Sequence, residues 1–155
     1  MKIRRATDSD ADSIRALYRD TIRNVNCRDY DPEQIEVWSS GGDDREKWLK
    51  RIDEQFFIAA EDGYGIIGFA SVTHDGYIDF MFTHKDHQGR GVASAMYEVL
   101  EQKALSLGLR EVWAEVSITA RPFFRSRGFE ITELFEKEAG GVVFDDCIMR
   151  KKISG

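Results

Sequence analysis

Apolar residues recur along the chain with two different periods, and the switches between them mark out its elements. Lys2 to Ala6 alternates well enough for a first strand, and Thr7-Asp8-Ser9-Asp10 then offers a cluster of N-capping side chains. Behind that cluster, Ile14, Leu17, Tyr18, Thr21, Ile22 and Val25 return at three- and four-residue spacings, which predicts a helix with one apolar face. Tyr30-Asp31-Pro32-Glu33 puts a proline where a helix can begin. Ile35 and Trp38 give that short helix an apolar side, and Gly41-Gly42 breaks it. A third helical stretch from Asp44 to about Asp53 carries Trp48, Leu49 and Ile52.

From Phe56 the period falls to two. Phe56 to Glu61, Ile66 to Thr73 and Tyr77 to Thr83 read as strands two, three and four, joined at Asp62-Gly63 and Asp75-Gly76 into an antiparallel meander. Lys85 to Gly91 is polar. Val92 to Leu107 is a strong helix with Val92, Met96, Val99, Leu100, Ala104 and Leu107 on one side, closed by Gly108. Leu109 to Val116 reads as strand five, and Ala120 to Arg127 as a helix stopped by Gly128. Phe129 to Phe135 and Val142 to Met149 are the last strands, on either side of Gly140-Gly141. No repeat or linker interrupts the series, which fits one α/β domain over residues 1–155 with a mixed sheet covered by helices.

Composition narrows what such a domain does. A chain of 155 residues with 42% hydrophobic content builds one core comfortably and two only with difficulty. The net charge of −6 repels phosphate backbones and anionic lipid on average, so neither nucleic acid nor membrane is expected as a partner. There is no leader-like start and no apolar run near the ~18 residues of a membrane span, which predicts a soluble, cytoplasmic protein. Cys27 and Cys147 are far apart and lack metal-ligand spacing, so neither a disulfide nor a bound metal is expected.

The chemistry concentrates in His87-Gln88-Gly89-Arg90-Gly91-Val92-Ala93-Ser94, between a hydrophobic strand and a well-formed helix. A helix start exposes unpaired N–H groups and the positive end of the dipole, and Gly89 and Gly91 let the main chain approach an anion. Arg90 adds a possible charge-assisted contact. A nucleotide P-loop would need lysine and a hydroxyl where Val92 and Ala93 stand, and a dinucleotide fingerprint would need glycine or alanine where Ser94 stands. A glycine loop that merely turns a strand into a helix remains the bland alternative.

This stretch resembles the GNAT superfamily of N-acetyltransferases, whose signature Q/R-x-x-G-x-G/A is matched by Gln88, Gly91 and Ala93. Ala120-Arg121-Pro122-Phe123-Phe124 through Gly128-Phe129 is similar to the family's second segment, A-x-x-F-Y-x-x-x-G-F. Tyr30 to Trp38 resembles a Tyr-x-Pro-Glu-Gln-x-x-x-Trp helix of a bacterial subset. The resemblance implies a mixed, mostly antiparallel sheet of about seven strands, splayed between the fourth and fifth. It implies acetyl-coenzyme A as co-substrate, with pantetheine along Met81, Phe82 and Thr83 and the pyrophosphate on Gln88 to Ser94.

Two departures from the family pattern bear on chemistry. Ser117 stands where relatives have asparagine, and Phe124 where they have the tyrosine that protonates the departing thiolate, so another donor is needed, such as Ser117, a nearby tyrosine or water. Asp79, where relatives carry a base, and Glu115 are the carboxylates to accept the acceptor's proton, with an amide near Phe82 for the oxyanion. Tyr30, Trp38 and His74 are candidate walls of the acceptor pocket, the acceptor being an amine of a small molecule or protein. Phe124 also sustains a second reading, a weakly catalytic coenzyme-binding module; the assembly is expected to be a monomer or homodimer.

Overall fold

The structure is a computed structural model describing residues 1–155. Strand β1 (Lys2–Arg5) leads into helices α1 (Ala11–Asn24), α2 (Pro32–Ser39) and α3 (Arg45–Glu54). The meander β2 (Phe56–Asp62), β3 (Gly65–Val72) and β4 (Ile78–Thr83) follows, then α4 (Val92–Ser106), β5 (Glu111–Val116), α5 (Arg121–Ser126), β6 (Glu130–Ala139) and β7 (Val142–Lys152). Asp31 caps α2 by accepting the Gln34 N–H at 2.8 Å, and the Gln34 side chain returns the bond to the Asp31 N–H.

The seven strands divide into an antiparallel sheet ordered β1-β2-β3-β4 and another ordered β5-β7-β6. They touch at one parallel bridge, Tyr77 with Trp113, where the Trp113 N–H donates to the Gly76 carbonyl at 3.0 Å. Gly76 has φ +96°, and a Cβ on it would stand 2.7 Å from the Glu111 carbonyl oxygen, so this junction requires glycine. Past the junction β4 and β5 diverge. The expected splayed, mostly antiparallel sheet is therefore present, and Asp75-Gly76 is both a hairpin turn and the vertex of the splay.

Each face of the sheet has its own apolar layer, as alternation along a strand dictates. Phe57, Ala59, Phe69 and Phe80 join Trp48 and the α1 residues Ile14, Leu17 and Ile22 on one side. Trp48 stacks on Phe80 with ring centroids 4.7 Å apart. Ile58, Ala60, Ala70 and Val72 pack with Met96, Leu100, Val112, Phe124 and Met149 on the other. Gly68 lets α4 settle onto β3, because a Cβ there would lie 2.9 Å from Met96 and 3.0 Å from Val92.

The last two strands run longer than Phe129 to Phe135 and Val142 to Met149. They extend through Glu136, Lys137 and Glu138 because much of this hairpin faces water, so charged residues occupy positions that alternation alone would end. Cys27 is exposed and Cys147 buried, and both are free thiols. No helix is long and apolar enough to cross a membrane.

Candidate active site

Hydrogen-bond direction alternates along antiparallel strands, and this decides what the diverging edges offer. His84 donates its N–H to the Ile67 carbonyl at 2.8 Å, and the same register pairs Phe82 with Phe69 and Phe80 with Ser71. The main-chain groups of Phe82 therefore point at β3, and those of Met81 and Thr83 point toward β5. The amide available to an oxyanion is the one beside Phe82, on Met81. Across the gap, Ile153 donates to the Arg110 carbonyl at 2.8 Å, which by the same alternation turns Glu115 toward β4. Asp79 is the extra residue of a β-bulge, since Val72 faces Ile78 and Ser71 faces Phe80.

Between these edges lies a cleft of about 1120 Å³. Its β4 end opens onto the glycine loop. The N–H groups of Gln88, Gly89, Arg90 and Gly91 make no hydrogen bond within the protein, and the first donor in α4 is Ala95, to the Gly91 carbonyl at 3.0 Å. Val92, Ala93 and Ser94 are the first three residues of the helix and, like Gly89 and Gly91, line the cleft. Gly91 has φ +80°, and a Cβ there would meet nothing within 4 Å. Glycine is thus needed for the backbone conformation, and the space in front is open. Seven consecutive amides with no partner at a helix start fit a diphosphate.

The loop is braced from behind. Gln88 spends its side chain on the Thr83 carbonyl at 2.7 Å, which also accepts from the Thr21 hydroxyl at 3.1 Å. Gln88 thus positions the cradle with its side chain and lines the cleft beside it. His87 ties the loop to Asp62 through Nε2 at 3.2 Å.

Toward the vertex the cleft is acidic. Asp79 Oδ2 accepts from Arg51 Nη1 and Gln55 Nε2, both at 2.8 Å. Glu115 is bridged by Lys137 Nζ at 3.3 Å to each carboxylate oxygen. Its diagonal neighbour on β7 is Asp146, whose carboxyl group lies near it. Burial first, and then Glu115, push Asp146 up to about 7.

Aromatic rings form the remaining wall. Tyr30 packs edge-on against Trp38, centroids 5.2 Å apart, and lies 6.1 Å from Phe144. Its hydroxyl oxygen accepts the Ile118 N–H at 2.8 Å. Ser117 and Phe124 also line the cleft; the Ser117 Oγ accepts from the Ala120 N–H at 3.3 Å, and Phe124 is buried.

Most of the residues singled out in the sequence therefore meet in one cleft: Asp79, Met81, Phe82 and Thr83 on one edge, Glu115, Ser117 and Phe124 on the other, Tyr30 and Trp38 across the top. Two do not. His74 sits exposed in the turn outside the splay's vertex, so it leaves the acceptor wall, and Arg90 is exposed on the outer side of its loop. Asp146, Lys137, Arg51, Tyr77 and Phe144 were not anticipated. The one local signal for Asp146 is an acid alternating in step with Phe144 and Ile148 along a strand.

A model of the acetyltransferase (GNAT) domain family matches residues 26–152. Over 153 residues, 98% of this chain and 96% of the relative, the sequence is 29% identical to the N-acetyltransferase YafP of Escherichia coli K12. A GCN5-related N-acetyltransferase from Rhodopseudomonas palustris superposes with TM-score 0.93 at 28% identity, covering 97% of this chain and 94% of that one. PaiA N-acetyltransferase from Thermoplasma acidophilum, solved with coenzyme A, shares the fold with TM-score 0.79 at 19% identity, covering 97% and 98%.

Proposed function

The chain belongs to the acetyltransferase (GNAT) domain family and is an acyltransferase; from that premise we propose that it moves acetyl from acetyl-coenzyme A directly to a primary amine of a small molecule or protein. One observation carries the reading. The outward-facing main chain of Met81 and the Thr83 N–H lead into the unpaired amides of Gln88 to Ser94, a continuous edge matched to a pantetheine arm followed by a diphosphate.

Acetyl-coenzyme A supplies an activated acyl carbon and a thiol leaving group. The protein supplies the rest. The loop amides hold the diphosphate, the Met81 carbonyl and the Thr83 N–H pair with the pantetheine amides, and Ser117 and Phe124 close the opposite side. The Met81 N–H serves the oxyanion, a role that needs no particular side chain. Asp79, Glu115 and Asp146 draw in a cationic amine, with Tyr30 and Trp38 as its walls. Asp146, beside Glu115, then accepts the amine's proton, since a base raised to about 7 matches neutral pH. Asp79, held by Arg51 and Gln55, orients the amine through its charge.

Calorimetry with coenzyme A and acetyl-coenzyme A tests this. Heat is expected for the native protein and none for Gly91→Glu, which sets a carboxylate where the diphosphate enters; a native protein that binds neither ligand would refute the proposal. Phe124, lacking a proton to give, favours the second reading of a binding module. Thiol release across a panel of amines decides between them, because tight binding without release supports the module.

A further inference from the structure

With Phe124 in the usual donor's place, the proton for the departing sulfur has to come from another group on the cleft wall. Three tyrosines line the cleft: Tyr18, Tyr30 and Tyr77. Tyr18 already donates its proton to the Trp38 carbonyl at 3.3 Å. Tyr77 lies among Asp79, Glu115 and Asp146, and burial followed by these carboxylates raises its pKa, so giving up its proton would add a further negative charge to an acidic cluster. Ser117 has a free hydroxyl proton, but an alcohol is far too weak an acid to match a thiol.

Tyr30 differs in its hydrogen bonding. Its oxygen accepts the Ile118 N–H at 2.8 Å, so its own proton is uncommitted, and the same N–H would hold the phenolate left behind. Phenol and thiol also lie close in acidity, about 10 against about 8.5. Burial raises its pKa above that of a free phenol; the Ile118 N–H and Arg121 pull the other way, while Asp146 and Asp29 oppose the phenolate. The ring is fixed by Trp38 and Phe144, and Ile118 directly follows Ser117 on the pantetheine side of the cleft.

The geometry points to Tyr30 as the proton donor to the coenzyme's sulfur, replacing the hydroxyl that Phe124 lacks; this rests on the acetyl-coenzyme A reading above. As the amine nitrogen bonds to the acyl carbon, the carbon–sulfur bond breaks and sulfur takes its electron pair. The Tyr30 hydroxyl proton passes to that sulfur, and the phenolate regains a proton from water. The proton shed by the amine leaves through Glu115 and Asp146, so the net products are amide and free thiol.

The thiol of bound coenzyme A reports on this without any acceptor. Its ionisation is followed by ultraviolet thiolate absorbance against pH, with the desulfo-coenzyme A complex subtracted to remove tyrosine signals. A hydrogen bond from Tyr30 stabilises the thiolate, so the bound thiol's acidity constant is expected to be about tenfold greater in the native protein than in Tyr30→Phe. Tyr77→Phe should titrate like the native protein. Calorimetry should show coenzyme A binding in all three, since the ring and its packing survive in Tyr30→Phe. Coinciding titrations of the native and Tyr30→Phe complexes, or a change confined to Tyr77→Phe, would overturn the assignment. Loss of binding in the native protein would instead refute the coenzyme reading itself.

Discussion

Asp146→Asn probes two consequences of setting a carboxyl group against Glu115. In the folded protein Asp146 is raised from 3.8 to about 7, by burial first and Glu115 second. Between those values the unfolded chain has released a proton that the folded chain retains. The associated stability is fully present below about pH 4 and is lost as pH rises through about 7. A span of about three pH units corresponds to about 4 kcal/mol at ~1.4 kcal/mol per unit. The cleft is open to water on one side, so about 2 kcal/mol is the expected size.

The asparagine variant is neutral throughout and keeps an oxygen for the Cys147 N–H, which Asp146 accepts at 2.8 Å. It should therefore lack that slope. Urea unfolding of both proteins at about pH 5 and about pH 8 measures it: the native protein should lose about 1 kcal/mol more than the variant over the interval, which covers the upper part of that span. The kcat/KM of the native enzyme should also rise with pH to a plateau above about 7, and the variant should lose this limb together with about 10²-fold in rate. Parallel stability curves would refute the raised Asp146 carboxyl, and an unchanged rate profile would remove it from catalysis.

Asp79→Asn should lower turnover while leaving the coenzyme affinity nearly intact by calorimetry, because Asp79 sits at the bulge and makes no contact with the loop. Equal turnover across neutral pH would discard it. Gly91→Ala should cost about 1–2 kcal/mol in urea unfolding, since φ +80° disfavours any Cβ even where nothing obstructs it. Gly68→Val should be worse, about 1–3 kcal/mol or more, because its side chain must displace Met96, Val92 and the Phe82 carbonyl. Thermal melting of the two variants orders them.

The parts of this molecule that were legible beforehand are those whose cause is local. The glycine loop could be read because an anion cradle of main-chain amides needs only a strand, two glycines and a helix start, all contiguous in Gln88 to Ser94. Asp75-Gly76 could be read as a turn, but its second role as the vertex depends on the Glu111 carbonyl, brought there by the whole of α4. Asp146 was illegible for a similar reason. Its acidity is set by burial and then by Glu115, a diagonal neighbour across β5 and β7 with no trace in the residues flanking either one. His74 failed in the other direction, being near Asp79 in sequence and outside the splay in space.

The charges along the cleft explain why its chemistry must divide as it does. One end presents backbone N–H groups and a helix start, suited to a diphosphate; the other gathers Asp79, Glu115 and Asp146, only partly offset by Arg51 and Lys137. Those carboxylates suit an amine that arrives as an ammonium ion and leaves a proton behind. The same negative field makes any hydroxyl among them, Tyr77 above all, a reluctant acid. A proton for the sulfur is released more readily where an N–H stabilises the anion it leaves. In this cleft that condition is met at Ile118, and the side chain bonded there is Tyr30. The loss of the family's tyrosine at Phe124 and the presence of a Tyr-x-Pro-Glu-Gln helix start are, on this argument, two halves of one substitution.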